Sequence, residues 1–173
     1  FHSCGTLVTI SIPQYITEIE SGLFAYCISL IDITIPDTVT RIGECAFLGC
    51  SGLETLEMSK NIKAIESSAF VSCVGLYAIN IKDITNWCQV DFDGTGSNPL
   101  YYASNLYVDG YRATSITIPE GVTEIKPRAF EGCKALKCVY IPSSLRVVGE
   151  YAFNECSQLQ TIGFNTFCYC TSL

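Results

Sequence analysis

The pattern Phe-x-x-Cys-x-x-Leu recurs seven times in 173 residues. It starts at Phe1, Phe24, Phe47, Phe70, Phe130, Phe153 and Phe167, with spacings of 23, 23, 23, 60, 23 and 14. Seven of the 9 Phe and seven of the 11 Cys fall in it. A fixed period of this length marks an array of stacked units. The interval of 60 is one period plus 37 residues, and the interval of 14 is one period less nine. The pattern also holds between the motifs. Leu30-x-x-Ile33-x-Ile35-Pro36 leads to Val39-x-x-Ile42 and then to Ala46-Phe47. The same frame reads Leu7/Ile10/Ile12/Pro13, Leu53/Leu56/Met58 and Leu136/Val139/Ile141/Pro142. Alternation with period two and β-branched residues favour a short half-buried strand. A proline after it lacks the N–H to extend a ladder.

A unit of 23 residues cannot bury its apolar face alone, but it can when stacked on its neighbours at about 4.8 Å per strand. The expected fold is a solenoid with no closed globular core. A parallel β-sheet lines one face, and short strands and turns built on pairs such as Val39/Ile42 line the other. Residues 1–76 form an N-terminal array and 116–173 a C-terminal array with a shortened last repeat. Residues 77–115 form an insertion. There, apolar residues at Ile84, Trp87, Cys88 and Phe92 predict a short helix. Gly94, Gly96, Asn98 and Pro99 predict a loop. Leu106-Tyr107-Val108, Asp109-Gly110 and Tyr111-Arg112-Ala113 predict a hairpin. In the last repeat, Phe164 is expected to replace part of the missing apolar pair.

The unit Leu-x-x-Ile-x-Ile-Pro…Val-x-x-Ile-Gly-x-x-Ala-Phe-x-x-Cys, nearly complete over Ile33–Cys50, resembles the BspA-like leucine-rich repeats. The resemblance covers about 125 residues outside the insertion. The insertion, with Trp-Cys, Ser-Asn-Pro-Leu and Leu-Tyr-x-x-Gly, resembles one that recurs in gut-bacterial members. The resemblance implies an exported or cell-surface bacterial protein, some relatives being implicated in adhesion.

Composition narrows the function classes. Net charge is −7 and no Lys/Arg cluster is present, which argues against a nucleic-acid or anionic-membrane surface. No apolar run approaches the ~20 residues that cross a bilayer. The single His, His2, leaves no basis for a multi-histidine metal site or a Cys–His dyad. The in-register cysteines point inward and are expected to be free buried thiols. Cys45, Cys88, Cys138 and Cys168 lie off register, and Cys133/Cys138 or Cys45/Cys50 remain open as cross-links. Cys156, Cys168 and Cys170 match no zinc spacing, and Asp91, Asp93 and Asn98 match no EF-hand. Neither a cofactor nor a catalytic group is expected.

What remains is a binding surface. Alternation turns Thr9/Ser11, Asp32/Thr34, Thr55/Glu57, Ala78/Asn80, Ser115/Thr117, Cys138/Tyr140 and Thr161 outward. From these, Asp32, Thr34, Thr55, Glu57, Asn80, Thr117 and Tyr140 are the candidate contacts for a protein or glycan ligand. Trp87, Tyr101, Tyr102 and Tyr111 are a second candidate patch, unless Trp87 and Phe92 instead seal the edge of the insertion. The expected function is a non-catalytic surface or secreted binding module, with a spacer that displays another domain as the alternative. The chain opens inside its own pattern without a signal peptide, and neither end shows a polar cap, so the native array is expected to be longer or to pair at its ends.

Overall fold

The computed structural model describes residues 1–164, the side chain of Phe164 apart. The strands are β1 (Glu18–Ile19), β2 (Asp32–Thr34), β3 (Arg41–Ile42), β4 (Thr55–Glu57), β5 (Ala64–Ile65) and β6 (Ala78–Ile81). The helix α1 (Ile84–Trp87), β7 (Asp91–Phe92), α2 (Leu100–Ala103), β8 (Asn105–Val108) and β9 (Tyr111–Arg112) follow. The rest are β10 (Ser115–Thr117), β11 (Glu124–Ile125), β12 (Cys138–Ile141), β13 (Val147–Val148) and β14 (Thr161–Phe164). Each ordinary coil supplies one strand to each of two faces. On the main face the sheet order is β2-β4-β6-β8-β9, then separately β10-β12-β14. On the opposite face it is β1-β3-β5-β7, then separately β11-β13. All pairings are parallel except β8 with β9. The fold is the expected solenoid.

The register explains the long interval. Ile33 aligns with Leu56 and Leu56 with Ile79, each 23 residues on. Ile79 aligns with Leu106, 27 residues on, so this coil is enlarged by four residues. The chain then reverses through β9 and reaches Ile116 ten residues after Leu106, and Ile116 aligns with Val139, again at 23. The reversal is the predicted Asp-Gly hairpin. Tyr107 pairs with Arg112 and Val108 with Tyr111, around Asp109 (φ 50°) and Gly110 (φ 80°). Positive φ at both central residues suits the twist of a two-residue hairpin.

The enlarged coil changes the interior. At an offset of 27, the Phe, Cys and Leu positions of the coil before it become Ser97, Leu100 and Ala103, all buried. The backbone register persists: Phe70 N–H donates to Gly96 O (2.9 Å) as Phe47 N–H does to Ala69 O (2.8 Å). The predicted helix is present as α1, capped by Asp83, whose side chain accepts from Thr85 N–H. The second helix, α2, was not expected. It begins after Pro99 (φ −66°), whose ring presets the first helical turn.

Phe1, Phe24, Phe47 and Phe70 stack with centroids 5.7, 5.3 and 5.2 Å apart. Phe130 and Phe153 stack at 5.4 Å. The motif rings therefore form two stacks, divided at the enlarged coil, where Ser97 holds the Phe position. Beside the rings runs a row of thiols. Sγ of Cys27, Cys50, Cys73 and Cys156 donates to the carbonyl of Phe1, Phe24, Phe47 and Phe130 respectively, at 3.0–3.2 Å. The nine cysteines among the described residues are free. Cys27, Cys50, Cys73, Cys133 and Cys156 are buried as expected, whereas Cys4 is exposed because no coil covers it. Neither Cys133/Cys138 nor Cys45/Cys50 is joined. Cys168, Cys170 and the side chain of Phe164 lie outside the described residues.

Both ladders break at the same place, and side chains bridge the seam. Trp87 Nε1 donates to Ala129 O (2.6 Å), and Asn98 Nδ2 to Arg128 O (2.6 Å) and Ala129 O (3.2 Å). Gln89 Nε2 donates to Glu124 O (2.7 Å), and Lys126 N–H to Cys88 O (2.9 Å). Lys126 Nζ also pairs with Asp91 (2.5 Å).

Candidate binding face

The inward residues of the main face, among them Ile33, Leu56, Ile79, Leu106, Ile116 and Val139, are buried. Alternation therefore turns the first and third residue of each strand outward. Asp32, Thr34 and Thr55 are exposed; Glu57 and Asn80 are half-buried. These five lie on the adjacent strands β2, β4 and β6 and form one surface. Thr117 and Tyr140 are cross-strand neighbours on β10 and β12, in the other sheet. The seven candidates thus form two groups on two separate sheets, the first of which ends at β9.

The insertion residues are not brought together as a patch. Trp87 is 1% exposed and its indole N–H is bonded to Ala129 O, so it packs inside and offers nothing to a surface ligand. Its edge meets Phe92 (5.3 Å, 66°), the sealing arrangement. Tyr101 and Tyr102 pack edge to face on α2 (5.3 Å), with the Tyr101 backbone against Gly132. Tyr111 is 80% exposed on β9 and lines a separate depression with Val108, Ser115 and Thr117. Asp91 and Asn98 are engaged across the seam, and among the described residues no cluster of His, Cys, Asp or Glu suits a metal.

One part of the main face is concave. A depression of about 260 Å³ lies over β4, β6 and β8, lined by Thr55, Glu57, Tyr77, Ala78, Asn80 and Tyr107. Its floor is low because Ala78 is the small residue of the outward row. Its polar groups are aligned. Gly110 N–H donates to Asn80 Oδ1 (3.0 Å), and Asn80 Nδ2 donates to Glu57 Oε2 (2.8 Å). On the β9 side, Arg112 donates to Asn105 Oδ1 (3.1 and 2.8 Å), and Asn105 Nδ2 donates to Tyr77 O (3.1 Å). Tyr77, Tyr107 and Arg112 were not among the expected contacts. Alternation from inward Leu106 already turns Tyr107 outward. Tyr77 precedes its strand, where alternation carries no information.

The profile of the BspA-type leucine-rich repeat region matches residues 1–97 and 102–173, in 6 copies. The chain belongs to the BspA-type leucine-rich repeat family. Solved structures similar to this family member include a leucine-rich cell surface protein from Faecalibacterium prausnitzii, 29% identical over 89% of the chain, with a TM-score of 0.41. A leucine-rich repeat protein from T. pallidum is 24% identical over 84% of the chain and 72% of its own length, with a TM-score of 0.46. One from Bacteroides ovatus is 24% identical over 92% of the chain and 61% of its own length, with a TM-score of 0.37. The BspA-type chain spans 31% of the length of the Faecalibacterium protein. No curated protein matches it. Among the described residues no helix is long and apolar enough to cross a membrane.

Proposed function

We propose that this BspA-type array is a non-catalytic binding module of an exported surface protein, and that it recognises a protein partner through the outward face of β2, β4, β6 and β8. The observation that carries this reading is the unequal use of the two sides of these strands. Inward side chains are buried in the core, while the outward row holds Asp32, Thr34, Thr55, Glu57 and Tyr107 and surrounds a depression. Polar rows with aromatic anchors are what extended partners contact on such surfaces. Adhesion to a host surface is the finer form of this reading, and the family resemblance supports it. Burial of the thiol row is compatible with export, because thiols held in the protonated form resist oxidation.

The test is binding of the purified chain to a panel of extracellular and matrix proteins by surface plasmon resonance. Thr34→Arg together with Thr55→Arg is expected to abolish the interaction, and Lys63→Glu, placed beside β5 on the opposite face, to preserve it. Loss with Lys63→Glu and retention with the Arg pair would assign recognition to the wrong face.

A further inference from the structure

We infer that the depression over β4, β6 and β8 is a receptor for one basic side chain, Lys or Arg, of an extended peptide segment in the partner. The inference rests on the binding face proposed above and adds the chemistry of its central contact.

The first observation is a carboxylate with one oxygen held and one free. Glu57 Oε2 accepts from Asn80 Nδ2, and Asn80 is itself fixed by the backbone N–H of Gly110. Glu57 Oε1 has no partner among the described residues. A half-buried carboxylate oriented by an amide is prepared to accept a charge-assisted hydrogen bond. The second observation is its surroundings. Tyr77 and Tyr107 line the same depression, and neither hydroxyl has a hydrogen-bond partner among the described residues. Two aromatic side chains beside a carboxylate favour a cation that also has an apolar stem. A volume of about 260 Å³ admits a single long side chain.

The third observation is the sign of the surrounding charge. Asp32, Glu54 and Glu57 lie on or beside the strands β2 and β4, and no Lys or Arg occupies an outward position of β2, β4 or β6. Of the cations near this face, Lys82, just past β6, is paired with Asp37 (2.9 Å), and the guanidinium of Arg112 is turned onto Asn105. Arg112 confines an incoming cation to the Glu57 side. The outward rows of β10, β12 and β14 (Ser115, Thr117, Cys138, Tyr140, Thr161 and Gly163) carry no charge, so the acidic half is where a basic residue is drawn.

The test is selection of a random linear peptide library on the full chain, followed by fluorescence-anisotropy titration of the enriched peptides. Enriched sequences are expected to share Lys or Arg at one fixed position. Replacing that residue by norleucine, or Glu57 by Gln, should weaken binding about tenfold, the usual effect of losing a charge-assisted contact. Tyr77→Ala, at an exposed position that does not threaten folding, should weaken it as well, and Lys63→Glu, beside β5 on the opposite face, should leave it nearly unchanged. Enriched peptides without a basic residue that are still lost with Thr55→Arg would overturn the inference and leave the binding face standing. A glycan bound by the native chain and lost with Glu57→Gln would also overturn it. Failure to enrich any peptide over the Thr55→Arg variant would overturn both.

Discussion

The thiol of Cys50 donates to the carbonyl of Phe24 in the preceding coil, 3.0 Å away. That carbonyl also accepts the N–H of Cys27 (3.1 Å). Each thiol in the row therefore links two coils at a point where the ring stack also passes. Cys50→Ala removes the sulfur from a site with no exposure and is expected to destabilise the array by about 1–2 kcal/mol, mostly through lost packing. Cys50→Ser keeps a donor and should cost less than Cys50→Ala if the hydrogen bond matters, a comparison made by urea denaturation.

The same burial sets a pH response. Burial pushes the thiols of Cys50, Cys88 and Cys133 up to about 12 and that of Cys156 to about 11. Unfolded thiols ionise near 8.5, so between these limits the folded chain holds more protons than the unfolded one. The contribution is fully present below the unfolded value and is lost as pH rises toward the folded values. Thermal midpoints should be insensitive to these groups from pH 6 to 8 and fall progressively above pH 9. Cys50→Ala should flatten that fall. In the native state at pH 8, a thiol reagent should modify Cys4 and, more slowly, half-buried Cys45 and Cys138, while Cys50 and Cys73 react only after unfolding.

The backbone contains two left-handed positions per coil. One lies two residues after each Phe, at Ser3, Tyr26, Gly49, Ser72, Gly132 and Glu155. The other lies two residues before, at Gly22, Cys45, Ser68, Arg128 and Tyr151. A residue with a Cβ costs about 1–2 kcal/mol there, against about 0.5–1 kcal/mol of extra chain entropy for glycine. Ser72→Gly is therefore expected to stabilise by about 0.5 kcal/mol. Gly49→Ala should do the opposite and by more, about 2 kcal/mol, because its new Cβ would also fall 2.7 Å from the Tyr26 ring. Paired chemical melts of the two variants check both signs.

How much of this was legible depends on distance along the chain. The ring stack and the strands follow from the 23-residue phase, because stacking turns sequence period into spatial alignment. The Asp109-Gly110 hairpin and α1 follow from local rules. The hidden coil between Phe70 and Phe130 does not. Its Phe, Cys and Leu positions hold Ser97, Leu100 and Ala103, so the motif vanishes while the backbone register survives. Trp87 shows the complementary limit. An aromatic in an insertion reads equally well as surface or filler, and the choice is made by a carbonyl, Ala129 O, 42 residues away. The depression is likewise invisible in one strand. It needs Ala78 low between Thr55 and Asn105, and a hairpin backbone at Gly110 to hold Asn80.

The seam supplies the last prediction. Among the described residues no strand pairing crosses from the first sub-array to the second, so beyond the shared apolar core they are joined by a few polar contacts, of which Asn98 makes two. Asn98 is 2% exposed, and its Oδ1 also accepts Leu100 N–H (2.9 Å). Asn98→Ala leaves the buried Leu100 N–H without its acceptor, while Ala129 O keeps Trp87 and Arg128 O keeps Glu131 N–H, and is expected to cost about 1–3 kcal/mol. Because stability in such arrays is a sum of unit and interface terms, weakening one interface should separate the two halves. Trp87 is the single tryptophan of the chain and sits at this interface, so its fluorescence reports the seam while far-UV circular dichroism reports all coils. The two signals should coincide in urea for the native chain. In Asn98→Ala the fluorescence transition should come first, at lower urea, and coincident curves in that variant would show that the halves are held together by something other than this seam.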